Sequence, residues 1–331
     1  MKVWGMVLGG YPRGRLARYS LRDRERGTIR SSQFSVEMLK THAEVIGVQK
    51  AAGLPVVVDG MIGWHDIFRP FIRNWRNVSV DGLLRYFDNN FFYRIPVFTG
   101  EPDIIEPVWP GRVAEFSLLA DPARLKIVLP GPVTMALMSK NKAGLSTEEL
   151  AERIAYLLRR EVELTLEYNV YVQIDEPILS MRNAEEHWAG LAVELANNII
   201  SGVEDRSIIA VYFDFPSKKI LETLLGVRAK YVSLDIVDSP RRAEENALPL
   251  DDHVPVVGVV DGRRIHEDRI SDTILSIIKK LSGSGDEIVL TTTTWMDLIP
   301  FRYALKKTNI LGRMVDFIAE RLGGEAVKLW R

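Results

Sequence analysis

The amino-acid sequence predicts an α/β protein folded as a single (β/α)8 TIM barrel, and three observations carry that reading. Short apolar runs of β type alternate with longer helical patterns through all 331 residues. The runs are almost continuously hydrophobic, as strands of a parallel sheet covered on both faces must be. No GxGxxG element follows the first run and no Ser/Gly linker divides the chain, so a closed barrel outranks an open doubly wound sheet. Length alone would suit two domains, but α/β barrels use about 250 residues or more in one. The expectation is one barrel over residues 1–331, with a long insertion after the second strand at about 60–110.

In chain order, the strands are expected at 2–8, 54–59, either 114–118 or 126–129, 170–174, 207–213, 231–236, 254–260 and 287–292. Helical patterns lie between them at 35–52, 147–167, 185–200, 217–225, 267–281 and 302–322. Ser146 followed by Glu149 forms a capping-box pattern, with a hydroxyl for one free N–H and a carboxylate for another, and predicts a helix start there. The segment 60–110 breaks the rhythm, being rich in aromatics, Arg and Asn.

Composition narrows the function. There are 43 basic and 44 acidic side chains, a formal charge of −1, which argues against bulk binding of nucleic acid. No apolar stretch comes near the roughly 20 residues of a membrane span, and the first residues lack the pattern of a signal peptide, so a cytoplasmic location is expected. With no cysteine in the chain, disulfides, thiolate nucleophiles and Cys-ligated zinc are excluded.

A parallel barrel places its chemistry at the C-terminal ends of its strands. After the first strand come seven arginines, Arg13, Arg15, Arg18, Arg22, Arg24, Arg26 and Arg30, opposed by Asp23 and Glu25. A solvated helix face explains Arg22 to Arg30. Arg13, Arg15 and Arg18, beside the mouth, suit a polyanionic ligand, since guanidinium groups bind carboxylates and phosphates in a bidentate fork. Later strand ends supply the turn from Gly131 to Thr134, the pair Asp175 and Glu176, then Asp214, Asp235 and Asp261. On an extended segment Asp175 and Glu176 point to opposite sides, and each reads either as a ligand contact or as a carboxylate bonding loop N–H groups. Of five histidines, no two have the i, i+4 spacing of a helical zinc pair; only His65, between Trp64 and Asp66, is placed for a site. Asp175, Asp235 and His65 are therefore the catalytic candidates.

The phrases GGYPRGRLAR, RYFDNNFFYRIP, LPGPVT, VQIDEPIL, VYFDFP, VSLDIV, VGVVDGRRI and TTTTWMDLIPFRYA resemble, in order, the strand-end motifs of cobalamin-independent methionine synthase, and most closely its N-terminal barrel. The resemblance implies a (β/α)8 barrel and a place in methionine synthesis, where a methyl group passes from a methyltetrahydrofolate-type pterin to homocysteine. In the family's catalytic barrel a zinc ion held by His, two Cys and Glu activates the thiol; here those positions match Tyr212, Asp214, Asp235 and Thr294, and Met61 stands where the homocysteine-binding Glu would be. The resemblance thus implies a chain that binds no metal or cofactor itself and takes the pterin polyglutamate tail through Arg13, Arg15, Arg18, Thr134 and Asp175. Its partner would be a separate zinc-bearing catalytic barrel. The competing readings are an independent methyltransferase with a non-thiolate site, a relative of the uroporphyrinogen decarboxylase barrels, and a pterin-binding protein.

Overall fold

The structure, a computed structural model, describes residues 1–87 and 89–329. Its strands are β1 (Lys2–Gly5), β2 (Val57–Val58), β3 (Trp75–Arg85), β4 (Phe92–Ile104), β5 (Leu125–Pro130), β6 (Lys140–Asn141), β7 (Tyr171–Asp175), β8 (Ser207–Val211), β9 (Tyr231–Asp235), β10 (Val254–Val260), β11 (Glu287–Thr292) and β12 (Glu325–Ala326). The helices are α1 (Arg15–Glu25), α2 (Ser31–Ala51), α3 (Arg69–Asn74), α4 (Trp109–Phe116), α5 (Pro132–Leu137), α6 (Thr147–Glu163), α7 (Glu186–Ile199), α8 (Lys218–Leu224), α9 (Pro240–Asn246), α10 (Asp272–Ser282) and α11 (Phe301–Arg321). Nine strands form one curled parallel sheet in the order β12-β1-β11-β10-β9-β8-β7-β5-β2. Eight of these follow chain order around the curl, so the first strand lies beside the last, as a barrel requires. Beyond the short ladders of β1 and β2, the Tyr11 N–H donates to the Gly60 carbonyl at 2.8 Å and draws those two strand ends together. Gly60 has φ +77°, and a Cβ there would stand 2.8 Å from Val45 Cγ1, so the close approach needs glycine.

The sequence pattern explains most elements directly. In α6 the Ser146 hydroxyl accepts from the Glu149 N–H at 3.0 Å and the Glu149 carboxylate accepts from the Ser146 N–H at 2.6 Å, the expected capping box. The helix then buries Leu150, Ile154, Leu157, Leu158 and Val162 on its inner face. The third barrel strand is the 126–129 candidate, realised as β5. Residues 114–118 instead fall at the end of α4, where Trp109, Val113 and Phe116 bury at helical spacing. The helix expected from 267 begins only at Asp272, because Ser271 caps it by accepting from the Ile274 N–H at 3.2 Å. Of the arginine run, Arg15, Arg18, Arg22 and Arg24 lie in α1, Arg13 precedes it, Arg26 is its C-cap and Arg30 is the N-cap of α2. The insertion carries an antiparallel hairpin, β3 and β4 pairing from Trp75↔Ile104 to Arg85↔Phe92, and β6, from beyond the insertion, adds beside β4 in parallel. Among the described residues no helix is long and apolar enough to cross a membrane.

Inside the curl, Lys126 of β5 is buried, and its ammonium donates to the carbonyls of Val7 (2.7 Å) and Leu8 (2.9 Å) and to Gln173 Oε1 (2.6 Å). Those two carbonyls lie past the last ladder pair of β1, and Leu8 also accepts from Gln173 Nε2 at 2.9 Å. The lysine therefore closes a seam between β1 and the far side of the barrel, and its burial holds it below the ordinary lysine range, to about 7.

Candidate functional site

Two regions meet at the C-terminal ends of the strands. The first is the barrel mouth. Asp175 ends β7 facing inward, fully buried, where its carboxylate accepts from Gln173 Nε2 (2.6 Å), the Tyr212 hydroxyl (3.0 Å) and the Trp295 indole N–H (3.1 Å). Burial raises its pKa in spite of those donors and the nearby Lys126 ammonium. Glu176 turns the other way, as strand alternation demands, and accepts from the N–H groups of Val133 (3.0 Å) and Thr134 (2.8 Å) and from the Thr134 hydroxyl (2.6 Å). Thr134, expected to contact a ligand, is fully buried and engaged by Glu176. The Gly131 turn is shaped for this carboxylate: a Cβ there would lie 2.1 Å from Glu176 Cδ. Burial pushes Glu176 up to about 7.

Above Asp175 the mouth is plugged. Tyr86 and Phe91, from the turn joining β3 to β4, pack with Tyr212, Phe213 and Trp295 around a residual cavity of about 20 Å³, room for little more than one water. Phe213 takes the left-handed conformation, φ +82°, to present its ring there. Such strain in a bulky residue persists only where surrounding packing enforces it.

The rim carboxylates serve the loops that carry them. Asp214 pairs with Arg242 at 2.6 Å and accepts from the Phe215 N–H. Asp235 accepts from the N–H groups of Val237 and Asp238, and its pKa is raised by burial and then by the adjacent Asp238. Asp261 accepts from the N–H groups of Arg263 and Arg264, while Asp238 pairs with Arg263 at 2.6 Å. The four positions matching the zinc ligands, Tyr212, Asp214, Asp235 and Thr294, do not fit that ion. They offer neither thiolate nor imidazole; the Tyr212 phenol is held far toward its neutral form by burial and Asp175, and Asp214 is taken by Arg242. Among the described residues no group of three or more His, Asp or Glu side chains is placed to hold a metal.

The second region is an open cleft of about 470 Å³ beside the mouth, lined by Tyr11, Arg13, Arg15, Arg18, His65 and Asp297, with Trp64 and Phe301 as apolar walls. Arg13 leaves β1 after Pro12 and donates to the Trp64 carbonyl. Arg15 and Arg18 lie one turn apart on α1, exposed. His65 sits 3.6 Å from Glu25, yet burial and then the charges of Arg13, Arg73 and Arg69 hold it down at about 4, so it is neutral at pH 7. In the sequence Asp297 ends the polar stretch Thr291 to Asp297 that follows the last strand, and it is not among the site candidates. Its Oδ1 is shut off from water without a hydrogen-bond partner, and burial pushes the carboxyl up to about 7 against the pull of Arg13. The only signal for it was its place at the end of TTTTWMD, just past the last strand. The structure thus gathers Arg13, Arg15, Arg18 and His65 in one cleft and leaves Asp175, Thr134 and Asp214 apart from it in hydrogen-bonded networks; Asp235 also lies apart, with its Oδ2 buried and without a partner.

Comparisons with known proteins agree with this architecture. Residues 71–286 match the profile described as "Cobalamin-independent synthase, N-terminal domain". The methionine synthase of Thermococcus kodakarensis is 27% identical over 339 aligned residues, covering 96% of this chain and 94% of that protein. The 5-methyltetrahydropteroyltriglutamate–homocysteine methyltransferase of Ralstonia pickettii is 27% identical over 218 residues, 62% of this chain but 27% of that one. The methionine synthase of Sulfurisphaera tokodaii is 24% identical over 208 residues, 62% of this chain and 60% of its own. The chain thus spans from about a quarter to three fifths of these last two relatives. In fold, a B12-independent methionine synthase from Shewanella, solved with selenomethionine, superposes with a TM-score of 0.76 at 15% identity, over 96% of this chain and 98% of that one. A putative vitamin-B12-independent methionine synthase from Listeria monocytogenes gives a TM-score of 0.70 at 17% identity, over 96% and 97%.

Proposed function

The chain belongs to the cobalamin-independent methionine synthase family, through that family's N-terminal domain, and from that membership we propose that it is an accessory barrel of methionine synthesis. In this reading it binds the polyanionic tail of a methyltetrahydrofolate-type pterin at Arg13, Arg15 and Arg18, and presents the pterin to a separate zinc-bearing barrel that performs the transfer. Zinc belongs to that companion.

The observation that carries the reading is the contrast between the two regions. Methyl transfer to a thiol of pKa about 8.5 needs a group that makes the thiolate, and the tertiary amine of a methylpterin is a poor leaving group. At the mouth the chain has no thiolate metal ligand, Asp175 and Glu176 are engaged by donors of the protein, and the space over Asp175 holds about 20 Å³. Beside it, guanidinium groups line a cleft of about 470 Å³. An anion-binding and positioning role uses what is open and requires nothing of what is closed.

The test mixes this chain with a zinc-bearing catalytic barrel of the family and follows methionine formation from a methylpterin polyglutamate and homocysteine. Activity is expected from the mixture and from neither component alone, with Arg13→Gln raising the KM for the pterin. A companion equally active without this chain overturns the reading. So does methionine formed by this chain alone, which instead favours an independent methyltransferase.

A further inference from the structure

The outer layer of the barrel has a gap beside α11, and we propose that this gap is a docking groove for an acidic amphipathic helix of a partner protein. On one side α11 packs against α2, and beneath it lie β1, β10 and β11. The order of the barrel puts α10 on its other side, but α10 packs against α9, and among the described residues no comparable packing joins it to α11. Residues 265–270, from the loop before α10, face α11 there across a groove of about 840 Å³. The α11 wall is one helical stripe: Tyr303, Lys306, Ile310, Arg313 and Phe317 follow one another at alternate spacings of three and four. At 1.5 Å per residue it runs about 21 Å, or about four turns.

The opposite wall is pinned in place. The buried Lys307 ammonium donates to both carboxylate oxygens of Asp268 at 2.9 Å and to the His266 carbonyl at 3.3 Å. Asp268 also accepts from the Asp261 N–H at 2.8 Å, which ties the loop to the end of β10. The groove is therefore preformed. Its lining is apolar along its length: Ile265 is 50% exposed and Phe317 37%, and Ile270, Ile310 and Met314 add to the same surface. Scattered single apolar side chains are ordinary on a protein surface, whereas a contiguous apolar lining rimmed by charge marks an interaction site.

Backbone and charge together select the occupant. Beneath the groove, β10 and β11 are each paired on both sides, so an extended peptide finds no sheet edge there to satisfy its N–H and C=O groups. A helix satisfies its own and brings a matching apolar stripe. Four of the lining charges cancel in pairs, Lys307 with Asp268 and Arg269 with Glu267, each at 2.9 Å. Lys306 and Arg313 are exposed and form no ion pair among the described residues. They stand two turns apart, about 10 Å along the axis, so carboxylates two turns apart on the incoming helix reach both. A second copy of this chain fits worse. Packing α11 antiparallel on itself about Ile310 sets Lys306 opposite position 314 of the other copy, next to its Arg313, and brings like charges together.

The experiment is fluorescence anisotropy of the intact chain with a labelled amphipathic peptide of about 16 residues, the length of the wall, with leucines at three–four spacing and glutamates on the flanks. A second peptide carries lysines in place of the glutamates. The acidic peptide should bind about tenfold tighter than the basic one. The double variant Lys306→Glu with Arg313→Glu should reverse that preference, and Phe317→Ser should weaken the acidic peptide about tenfold. All three side chains are exposed, so the fold is not at stake. Acidic-peptide binding that survives both variants, as at the arginine cleft, overturns the groove; so do equal affinities for the two peptides and binding of neither. A dimer in sedimentation that Phe317→Ser dissolves puts a second copy in the groove and equally overturns the partner helix.

Discussion

The barrel mouth and the cleft beside it are built from the same kinds of residue, and they treat charge in opposite ways. At the mouth the two carboxylates at the end of β7 are matched: Asp175 has three side-chain donors, Glu176 has three donors from the 131–134 turn, and aromatic rings leave little room above. In the cleft the charges are incompletely matched. Arg13 has Asp297 opposite it without a close ion pair, and Asp297 leaves an oxygen unpartnered. A satisfied buried network resists change and holds a shape; an unsatisfied one beside open volume has binding energy in reserve. The carboxylates at the end of β7 thus brace the barrel's own loops, while the unmatched charge stands beside open volume in the loop after β1.

The comparison is broken most strongly at Lys126. Its ammonium is the donor for two backbone carbonyls of the β1 end and touches Gln173, which in turn holds Asp175. Replacing it with Met keeps the stem, strands the Val7 carbonyl and leaves the Leu8 carbonyl with Gln173 Nε2 alone, and removing one partner of a buried charged network costs about 3–5 kcal/mol. Urea unfolding of Lys126→Met should show that loss, and oligoglutamate affinity should be little changed at temperatures where the variant is folded. A loss under about 1 kcal/mol would mean that the β1 seam is closed by other contacts.

Glu176 sharpens the comparison through pH. Its carboxyl rises from the ordinary 4.5 to about 7 on folding because burial outweighs the donors around it. Below pH 4.5 folded and unfolded chains both hold the proton. Between 4.5 and 7 the folded chain keeps it and the unfolded chain releases it, so stability falls as pH rises, by up to about 3 kcal/mol when the window is complete. Glu176→Gln should be about 1–2 kcal/mol less stable at pH 5, where an amide serves the turn less well. It should also lose this part of the slope between pH 5 and 8. Parallel stability profiles for the two proteins would show that Glu176 is ionised throughout.

The fold was legible because burial on both faces writes barrel strands as continuous apolar runs; 254–260 and 287–292 are β10 and β11 to the residue. The insertion was not, because Trp75 to Arg85 is an exposed hairpin strand with 9 of 11 residues facing solvent, and no apolar alternation marks it. The arginines of the cleft were legible from their place after the first strand. The rim carboxylates were misleading for a physical reason: a strand end is where ligands bind, and also where a loop's free N–H groups need acceptors. Asp175, Asp214, Asp235 and Asp261 look alike in sequence, and only the structure shows that each accepts from donors of the protein itself, with Asp235 keeping one oxygen without a partner. Asp297 stands in the same strand-end rim, and nothing in the sequence sets it apart because what distinguishes it is a missing partner.

That lack gives the smallest expected effect. Asp297 folds with its carboxyl raised from 3.8 to about 7, burial working against the attraction of Arg13. The sign follows as for Glu176: the charged form weakens the fold increasingly from pH 3.8 to 7, and the penalty is full above that. Asp297→Asn removes the charge and also the counter-charge to Arg13, so the net gain at pH 8 should be no more than about 1 kcal/mol, with none below pH 4. In the same variant Arg13 faces an incoming carboxylate without a competitor, and glutamate should bind about two- to fivefold tighter. Thermal unfolding at pH 4 and 8 and one titration at pH 8 measure both effects. Weaker binding with Asn would show that Asp297 contacts the ligand itself, accepting from an N–H next to the carboxylate that Arg13 holds, and the cleft would then read a donor as well as a charge.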